Sequence, residues 1–243
     1  MTSAIEDTKI NATERRMLYR ISFLSTWAMM AYLLATMILL LSVGGIPESV
    51  QEIFSMLQNN VLIGLLRLEL LSILFMPLYF VIFYAVYHAL KPASPIFTGL
   101  AFIFVAVGVI LFMATPSTFS WLALSEKYTA AVSSVEKSQI IAAGESILAS
   151  DMWHGSGARM GGLLMQIGTL GISILMLKNT KFSKATAIIG IGMHGLDLLH
   201  IVIGVFTPQL GAILMMIAGP FYLVWFPLLG RDFLRLAKAK DLT

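Results

Sequence analysis

The chain has 243 residues, of which 58% are hydrophobic and 12% charged, and its formal net charge is +3. A typical soluble domain has about 25% charged residues, and a mean hydropathy of +0.87 is too apolar for a fold of this length in water. The chain contains no Cys, which excludes disulfides, thiol catalysis and Cys-ligated zinc or iron–sulfur clusters. This composition predicts an all-α, polytopic membrane protein whose main partner is the lipid bilayer, with no role for nucleic acid.

Six apolar segments are long enough to cross a bilayer, which requires about 20 residues. They lie at 19–43, 62–88, 96–115, 156–177, 185–206 and 210–230. Stretches rich in turn formers separate them at 44–49, 91–95, 178–184 and 207–209. We therefore expect one six-helix transmembrane domain over residues 17–230, with tails at 1–16 and 231–243.

The basic residues predict the orientation, because Lys and Arg accumulate in cytoplasmic loops. Twelve of the sixteen Lys and Arg residues flank the spans on the side of both termini. Both termini are therefore expected in the cytoplasm, with the protein in the cell (cytoplasmic) membrane. The basic segment 231–243 is expected to lie as an amphipathic helix on anionic headgroups.

The long segment 116–155 joins the third and fourth spans and is expected outside the cytoplasm. Its pattern predicts a hairpin of two short amphipathic helices, with Ser134 as the N-cap of the second. Two interpretations are open: a hairpin lying on the membrane surface, and a lid over an outward-facing pocket. A smaller interfacial helix is expected within 44–60.

Ionisable and amide side chains occur inside the predicted spans, where a charge costs at least about 2.5 kcal/mol and normally faces the bundle interior. The candidates for ligand binding or proton relay are Arg67 and Glu69 in the second span, Arg159 and Gln166 in the fourth, and His194, Asp197 and His200 in the fifth. A rise of about 1.5 Å per residue places the six Arg, Glu, His and Asp residues among them at similar depths in the outer half of the membrane. Gln166 belongs to a polar stripe on one face of the fourth span, together with Thr169 and Ser173. We therefore expect an outward-facing polar pocket between the second, fourth and fifth spans.

Three interpretations of these residues are open. In the first interpretation the residues have a structural role, with Arg159 paired to Asp197, and Glu69 paired to Arg67 or a His. They are functional if a partly hydrated pocket binds a small ligand or relays protons for transport. In the third interpretation, a zinc ion or similar divalent metal is held by His154, His194, Asp197 and His200. The protein would then be a metal-dependent intramembrane hydrolase.

No cofactor is predicted apart from this metal, and no catalytic residue is assigned. A structural subunit of a larger membrane complex is a further alternative, and homo-oligomerisation is left open.

Three stretches resemble a prokaryotic family of six-helix integral membrane proteins catalogued as a domain of unknown function. They read NNVLIGLLRLELLSILFMPLYFVIFYAVYHALKP at 59–92, LALSEKYTAAVSSVEKSQIIAAGESILA at 122–149 and GISILMLKNTKFSKATAIIGI at 171–191. The resemblance extends over most of residues 15–230 and implies the six-helix fold and membrane location, but no catalytic residues. The chain is also faintly similar to intramembrane zinc hydrolases, which collect Ser, Asp and His near one face.

Overall fold

The computed structural model describes residues 11–45, 47–151 and 155–239, and no strand occurs within these ranges. The helices are α1 (Ala12–Val43), α2 (Val50–Asn59), α3 (Val61–Leu90), α4 (Pro95–Met113), α5 (Thr118–Ala130), α6 (Ser134–Ala149), α7 (Ser156–Leu177), α8 (Lys184–Phe206) and α9 (Pro208–Lys238). Six of the helical segments, which contain α1, α3, α4, α7, α8 and α9, are long and apolar enough to cross a membrane. The predicted all-α fold with six membrane-spanning helices is confirmed.

The six long helices stand in chain order around a ring. Each packs against the next of the six, and α9 closes the ring against α1. Aromatic side chains fill much of the interior: Phe83 stacks on Trp225 with ring centroids 6.3 Å apart, and Tyr79 meets Phe226 edge-on at 6.2 Å. The outer surface is apolar, with residues such as Leu41 82% exposed, as expected of a surface that faces lipid.

Glycines allow α4 and α7 to approach closely. A Cβ atom on Gly161 would lie 2.9 Å from the carbonyl oxygen of Gly108, and one on Gly168 would lie 2.6 Å from that of Ala101. The nearest atoms belong to backbone, which cannot move aside as a flexible side chain can. This contact is a small-residue helix interface of the kind common in membranes.

The start of α1 lies within the segment predicted as an N-terminal tail. The side-chain oxygen of Asn11 accepts a hydrogen bond from the Glu14 N–H at 2.8 Å, and the Glu14 carboxylate accepts one from the Asn11 N–H at 3.1 Å. This reciprocal capping box begins the helix at Ala12. Residues 12–16 are therefore part of the first long helix.

The end of α9 also extends beyond the predicted span, through residues 231–238. Phe233 stacks on Tyr19 of α1 at 6.2 Å, and Phe182 meets Phe233 edge-on at 6.3 Å. Phe233 and Leu236 are buried. This part of the expected basic tail therefore continues α9 and packs against the bundle.

Helices α2, α5 and α6 form a small cover at the end of the bundle opposite to the start of α1 and the end of α9. Phe54 of α2 meets Trp121 of α5 edge-on at 6.3 Å, and a Cβ atom on Gly144 of α6 would lie 2.6 Å from Val50 of α2. The N-cap of α6 is Ser133 rather than the predicted Ser134, because the Ser133 hydroxyl accepts the Glu136 N–H at 3.1 Å. We call this end of the bundle the cover end.

The helix α3 is broken close to the cover. Leu68 has φ −90° and ψ 39°, and Glu69 has φ 69° and ψ 20°, a left-handed conformation that is rare for a residue with a side chain. The Leu68 carbonyl accepts a hydrogen bond from the Thr118 hydroxyl of α5, so the cover satisfies a backbone group near the break. A second interruption lies at Pro77, as the proline predicts.

Candidate functional site

The structure brings five of the seven predicted polar residues together in two separate groups. Gln166, His194 and Asp197 meet near the middle of the bundle, together with Tyr222 of α9. We call these four residues the central cluster. Arg67 and Glu69 instead line a cavity beneath the cover, which we call the cover cavity.

Gln166 organises the central cluster through both ends of its amide. Its Nε2 donates to Asp197 Oδ2 and to the Tyr222 hydroxyl oxygen, each at 3.2 Å, and its Oε1 lies 2.7 Å from His194 Nδ1. The Tyr222 hydroxyl also donates to Asp197 Oδ2. Because the amide oxygen can only accept, Nδ1 of His194 carries a proton, and in the neutral ring Nε2 carries the lone pair.

His194 Nε2 points into the bundle without a hydrogen bond from any described residue. The His194 side chain is only 1% exposed and meets the ring of Trp225 edge-on, with centroids 5.1 Å apart. A buried nitrogen without a partner is costly, since most buried polar atoms are hydrogen-bonded. This atom is therefore a place where a neutral hydrogen-bond donor would bind favourably.

Small residues bring α7, α8 and α9 together around the cluster. A Cβ atom on Gly190 of α8 would lie 2.5 Å from the Ser173 hydroxyl of α7 and 2.7 Å from Nε1 of Trp225 in α9. Ser173 and Gln166 lie on the buried polar stripe of α7, as their spacing predicts. The site thus lies between the fourth, fifth and sixth spans, whereas the sequence predicts the second span in place of the sixth.

Asp197 has only neutral hydrogen-bond donors. Among the described residues, no Lys, Arg or His nitrogen lies within 4.0 Å of its carboxylate. The Arg159–Asp197 ion pair of the structural interpretation is therefore not formed. Arg159 lies in the first turn of α7 and is partly buried.

His200 does not join the central cluster. Its Nδ1 lies 2.9 Å from the carbonyl oxygen of Gly211, at the tight junction where α8 meets α9. His154 lies outside the described residues. In the part of the chain that is described, no three His, Asp or Glu side chains come together as a metal site, so the zinc ligands of the third interpretation are not assembled there.

The cover cavity has a volume of about 40 Å³, enough for a few water molecules. Its lining consists of Pro47, Ile53, Arg67, Leu68, Glu69, Pro116, Ser117, Trp121, Leu148 and Asp151. Trp121 and Leu148 belong to the cover, so α5 and α6 form one wall.

Arg67 and Glu69 have separate surroundings, and they form no ion pair within the described ranges. Arg67 Nη1 donates to the Met56 sulfur at 3.3 Å, while its buried Nη2 has no described hydrogen-bond partner. Glu69 accepts from the Ser72 hydroxyl, whose oxygen lies 2.7 Å from the Tyr32 hydroxyl of α1. Glu69 thus connects the cavity to a pair of buried hydroxyl groups.

Tyr222 and Tyr32 are site residues that the sequence analysis does not identify. Tyr222 belongs to a stripe of small, aromatic and polar residues on α9 at alternating spacings of three and four, which faces the bundle: Ala218, Tyr222, Trp225, Leu229 and Asp232. This periodicity is typical of a helix–helix contact and could have indicated Tyr222. Tyr32 lies on a comparable stripe of α1, because Ser22, Ser25, Met29 and Tyr32 follow one another at spacings of three and four and are all buried.

Asp232 forms another buried polar contact, near the end of α9. Its Oδ2 accepts the Ser183 N–H at 2.9 Å and the Thr186 hydroxyl at 2.6 Å, which places a carboxylate at the N-terminus of α8. Such a charge interacts favourably with the helix dipole. In the same loop, burial and the nearby charge of Arg15 lower the pKa of Lys181. This contact holds the end of α9 against the start of α8.

Comparisons with known proteins returned no match: no family model matches the chain, and neither a curated protein nor a solved structure does.

Proposed function

We propose that the chain is a proton-coupled membrane protein that binds a proton at Asp197 and uses the central cluster to bind or transport a small ligand. The observation that carries this proposal is the carboxyl group of Asp197, which has hydrogen bonds from neutral partners only. A carboxylate without a cation is costly inside a membrane, and such groups are typical of proton relays. Proton binding would remove the charge while the side chain stays in place.

The partners of Asp197 suit both of its protonation states. The Tyr222 hydroxyl donates to the carboxylate in the structure, and a hydroxyl oxygen can equally accept from a carboxylic acid. The uptake or release of a proton therefore requires a rotation of the hydroxyl hydrogen rather than a movement of helices. The free Nε2 of His194 offers a hydrogen-bond acceptor for a donor group on a ligand.

Two further features support a proposal for the location and orientation of the protein. They are the distribution of its basic residues and its resemblance to a prokaryotic membrane family. We place the protein in the cytoplasmic membrane of a prokaryote, with both termini in the cytoplasm. The cover would then lie outside the cytoplasm, and the cover cavity would be the polar space closest to that side.

Infrared difference spectroscopy on the protein in lipid vesicles tests proton binding at Asp197. When the pH is stepped, the C=O stretch of a protonated carboxyl group should appear and disappear in the wild type. Asp197→Asn should remove this band, whereas Glu145→Gln, at an exposed position of the cover, should leave it unchanged. A titrating band that persists unaltered in Asp197→Asn, in protein with a wild-type melting temperature, would overturn the proposal.

A further inference from the structure

The walls of the cover cavity carry opposite charges that stay apart. Arg67, Glu69 and Asp151 line the cavity together, and no ion pair joins Arg67 to Glu69 in the described part of the chain. Charges away from water are costly without a partner. Because these two groups share a cavity without pairing, a molecule in the cavity that carries both charges would satisfy them together.

The positive side of the cavity has hydrogen-bond donors to spare. Nη1 of Arg67 donates to the sulfur of Met56, a weak acceptor, and its buried Nη2 has no described hydrogen-bond partner. The start of α5 adds backbone donors, because Pro116 and Ser117 line the cavity and the Ser117 side chain does not cap the helix. The dipole of α5 has its positive end there. This side therefore favours a carboxylate.

The negative side has acceptors to spare. The Ser72 hydroxyl donates to Oε2 of Glu69, whereas the two oxygens of a carboxylate together accept about four hydrogen bonds. Asp151 brings a second carboxyl group to the same cavity. A protonated amino group has three donors and no acceptor, so it fits this side.

The break in α3 brings the two opposite charges to one cavity. In a regular α-helix successive residues are turned by about 100°, so residues 67 and 69 would point to nearly opposite sides. Glu69, with φ 69° and ψ 20°, interrupts that course, and both residues line the cavity. This left-handed conformation is strained for a residue with a side chain, and such residues cluster at ligand-binding and active sites.

We infer that the cover cavity binds a small zwitterion, an amino acid with free amino and carboxylate groups. Its carboxylate lies at Arg67 and the start of α5, and its ammonium group at Glu69. The volume of about 40 Å³ has room for a few water molecules, which limits the ligand to the smallest amino acids, such as glycine. The inference goes beyond the proposed function, because this site does not include Asp197.

Isothermal titration calorimetry on the wild-type protein in lipid nanodiscs tests the ligand class without any substitution. Glycine should bind with a saturable signal. Acetate and methylammonium each carry one of the two charges, so they should bind about tenfold more weakly or less, because the charge-assisted hydrogen bonds at one end are lost. Leucine, which is too large for the cavity, should also bind at least about tenfold more weakly. Absence of glycine binding, or equal binding of any comparison compound, would overturn the inference.

Variants test the place of binding. Arg67→Gln and Glu69→Gln should each weaken glycine binding by about tenfold or more, since each removes a charged partner. Arg159→Gln, at a partly buried arginine that does not line the cavity, and Glu145→Gln, at an exposed carboxylate of the cover, are the matched controls. Both controls should bind glycine with the wild-type affinity.

Wild-type glycine affinity in both Arg67→Gln and Glu69→Gln would refute the site. The infrared band of Asp197 is recorded on the same samples, so the two proposals fail separately. A titrating Asp197 band without glycine binding removes only the zwitterion site. Glycine binding that depends on Arg67 and Glu69, in protein without an Asp197 band, supports the site and removes only the proton-binding function.

Discussion

Nδ1 of His194 lies 2.7 Å from Oε1 of Gln166, and this hydrogen bond determines which end of the amide faces Asp197. With its oxygen towards the histidine, Gln166 presents its NH₂ group to the carboxylate. One neutral side chain thus satisfies an imidazole and a carboxyl group on the neighbouring helix. This arrangement makes Gln166 the organising residue of the central cluster.

Gln166→Leu should therefore destabilise the protein. The leucine has a similar volume but leaves Nδ1 of His194 without a hydrogen-bond partner and Asp197 with the Tyr222 hydroxyl as its remaining donor, which costs roughly 1–3 kcal/mol for an unsatisfied buried group. Thermal unfolding in detergent, followed by circular dichroism, measures the loss. Gln139→Leu, at an exposed position on α6, is the control. An equal melting temperature for both variants would show that the amide is not needed to hold the cluster.

Gly161→Ala should weaken the contact between α4 and α7. The added methyl group would lie 2.9 Å from the backbone nitrogen of Phe112 and from the carbonyl oxygen of Gly108, so the helices must separate. A cost of about 1–3 kcal/mol is expected for such overpacking. Gly192→Ala meets nothing within 4 Å and should be neutral or slightly stabilising, because alanine favours a helix. If the two variants unfold together, the close contact is absent in the membrane.

Asp232→Ala should loosen the contact between the end of α9 and the start of α8. The substitution leaves the Ser183 N–H and the Thr186 hydroxyl without their shared acceptor, at a cost of roughly 1–3 kcal/mol. Faster hydrogen–deuterium exchange in the first turn of α8 would report the local loss. Glu126→Ala on the exposed face of α5 should leave this exchange unchanged. Wild-type exchange in Asp232→Ala would mean that the loop holds its shape without the carboxylate.

Single cysteines can test the proposed orientation directly, since the chain has no Cys of its own. Ser138→Cys on the cover and Thr180→Cys between α7 and α8 are both exposed. A membrane-impermeant maleimide should label the first in intact cells, and the second only after the cells are permeabilised. The reverse pattern would place the cover and the cover cavity in the cytoplasm.

The sequence alone is sufficient to predict the six spans. A segment of about 20 apolar residues has few alternatives to a membrane-spanning helix, because every backbone hydrogen bond must be satisfied within the bilayer. The ends of the helices are less predictable. The capping box at Asn11 and the packing of Phe233 against Tyr19 both extend a helix into polar sequence.

Depth along a helix was enough to predict that Gln166, His194 and Asp197 could meet, because residue spacing gives both depth and helix face. It did not separate Glu69 from them, since groups at one depth can still face different neighbours. The break at Glu69 also lacks a local signal, because LRLEL contains ordinary helix-forming residues.

The sequence by itself determined the number of spans, their apolar outer surface and the polar stripe of α7. The tertiary structure decided that α9 rather than α3 supplies the fourth member of the central cluster, and that Thr118 caps the Leu68 carbonyl. The physical reason is that insertion into lipid depends on the hydrophobicity of each segment alone. The partners of a buried carboxyl group depend on how neighbouring helices pack, which small residues far apart in the chain control.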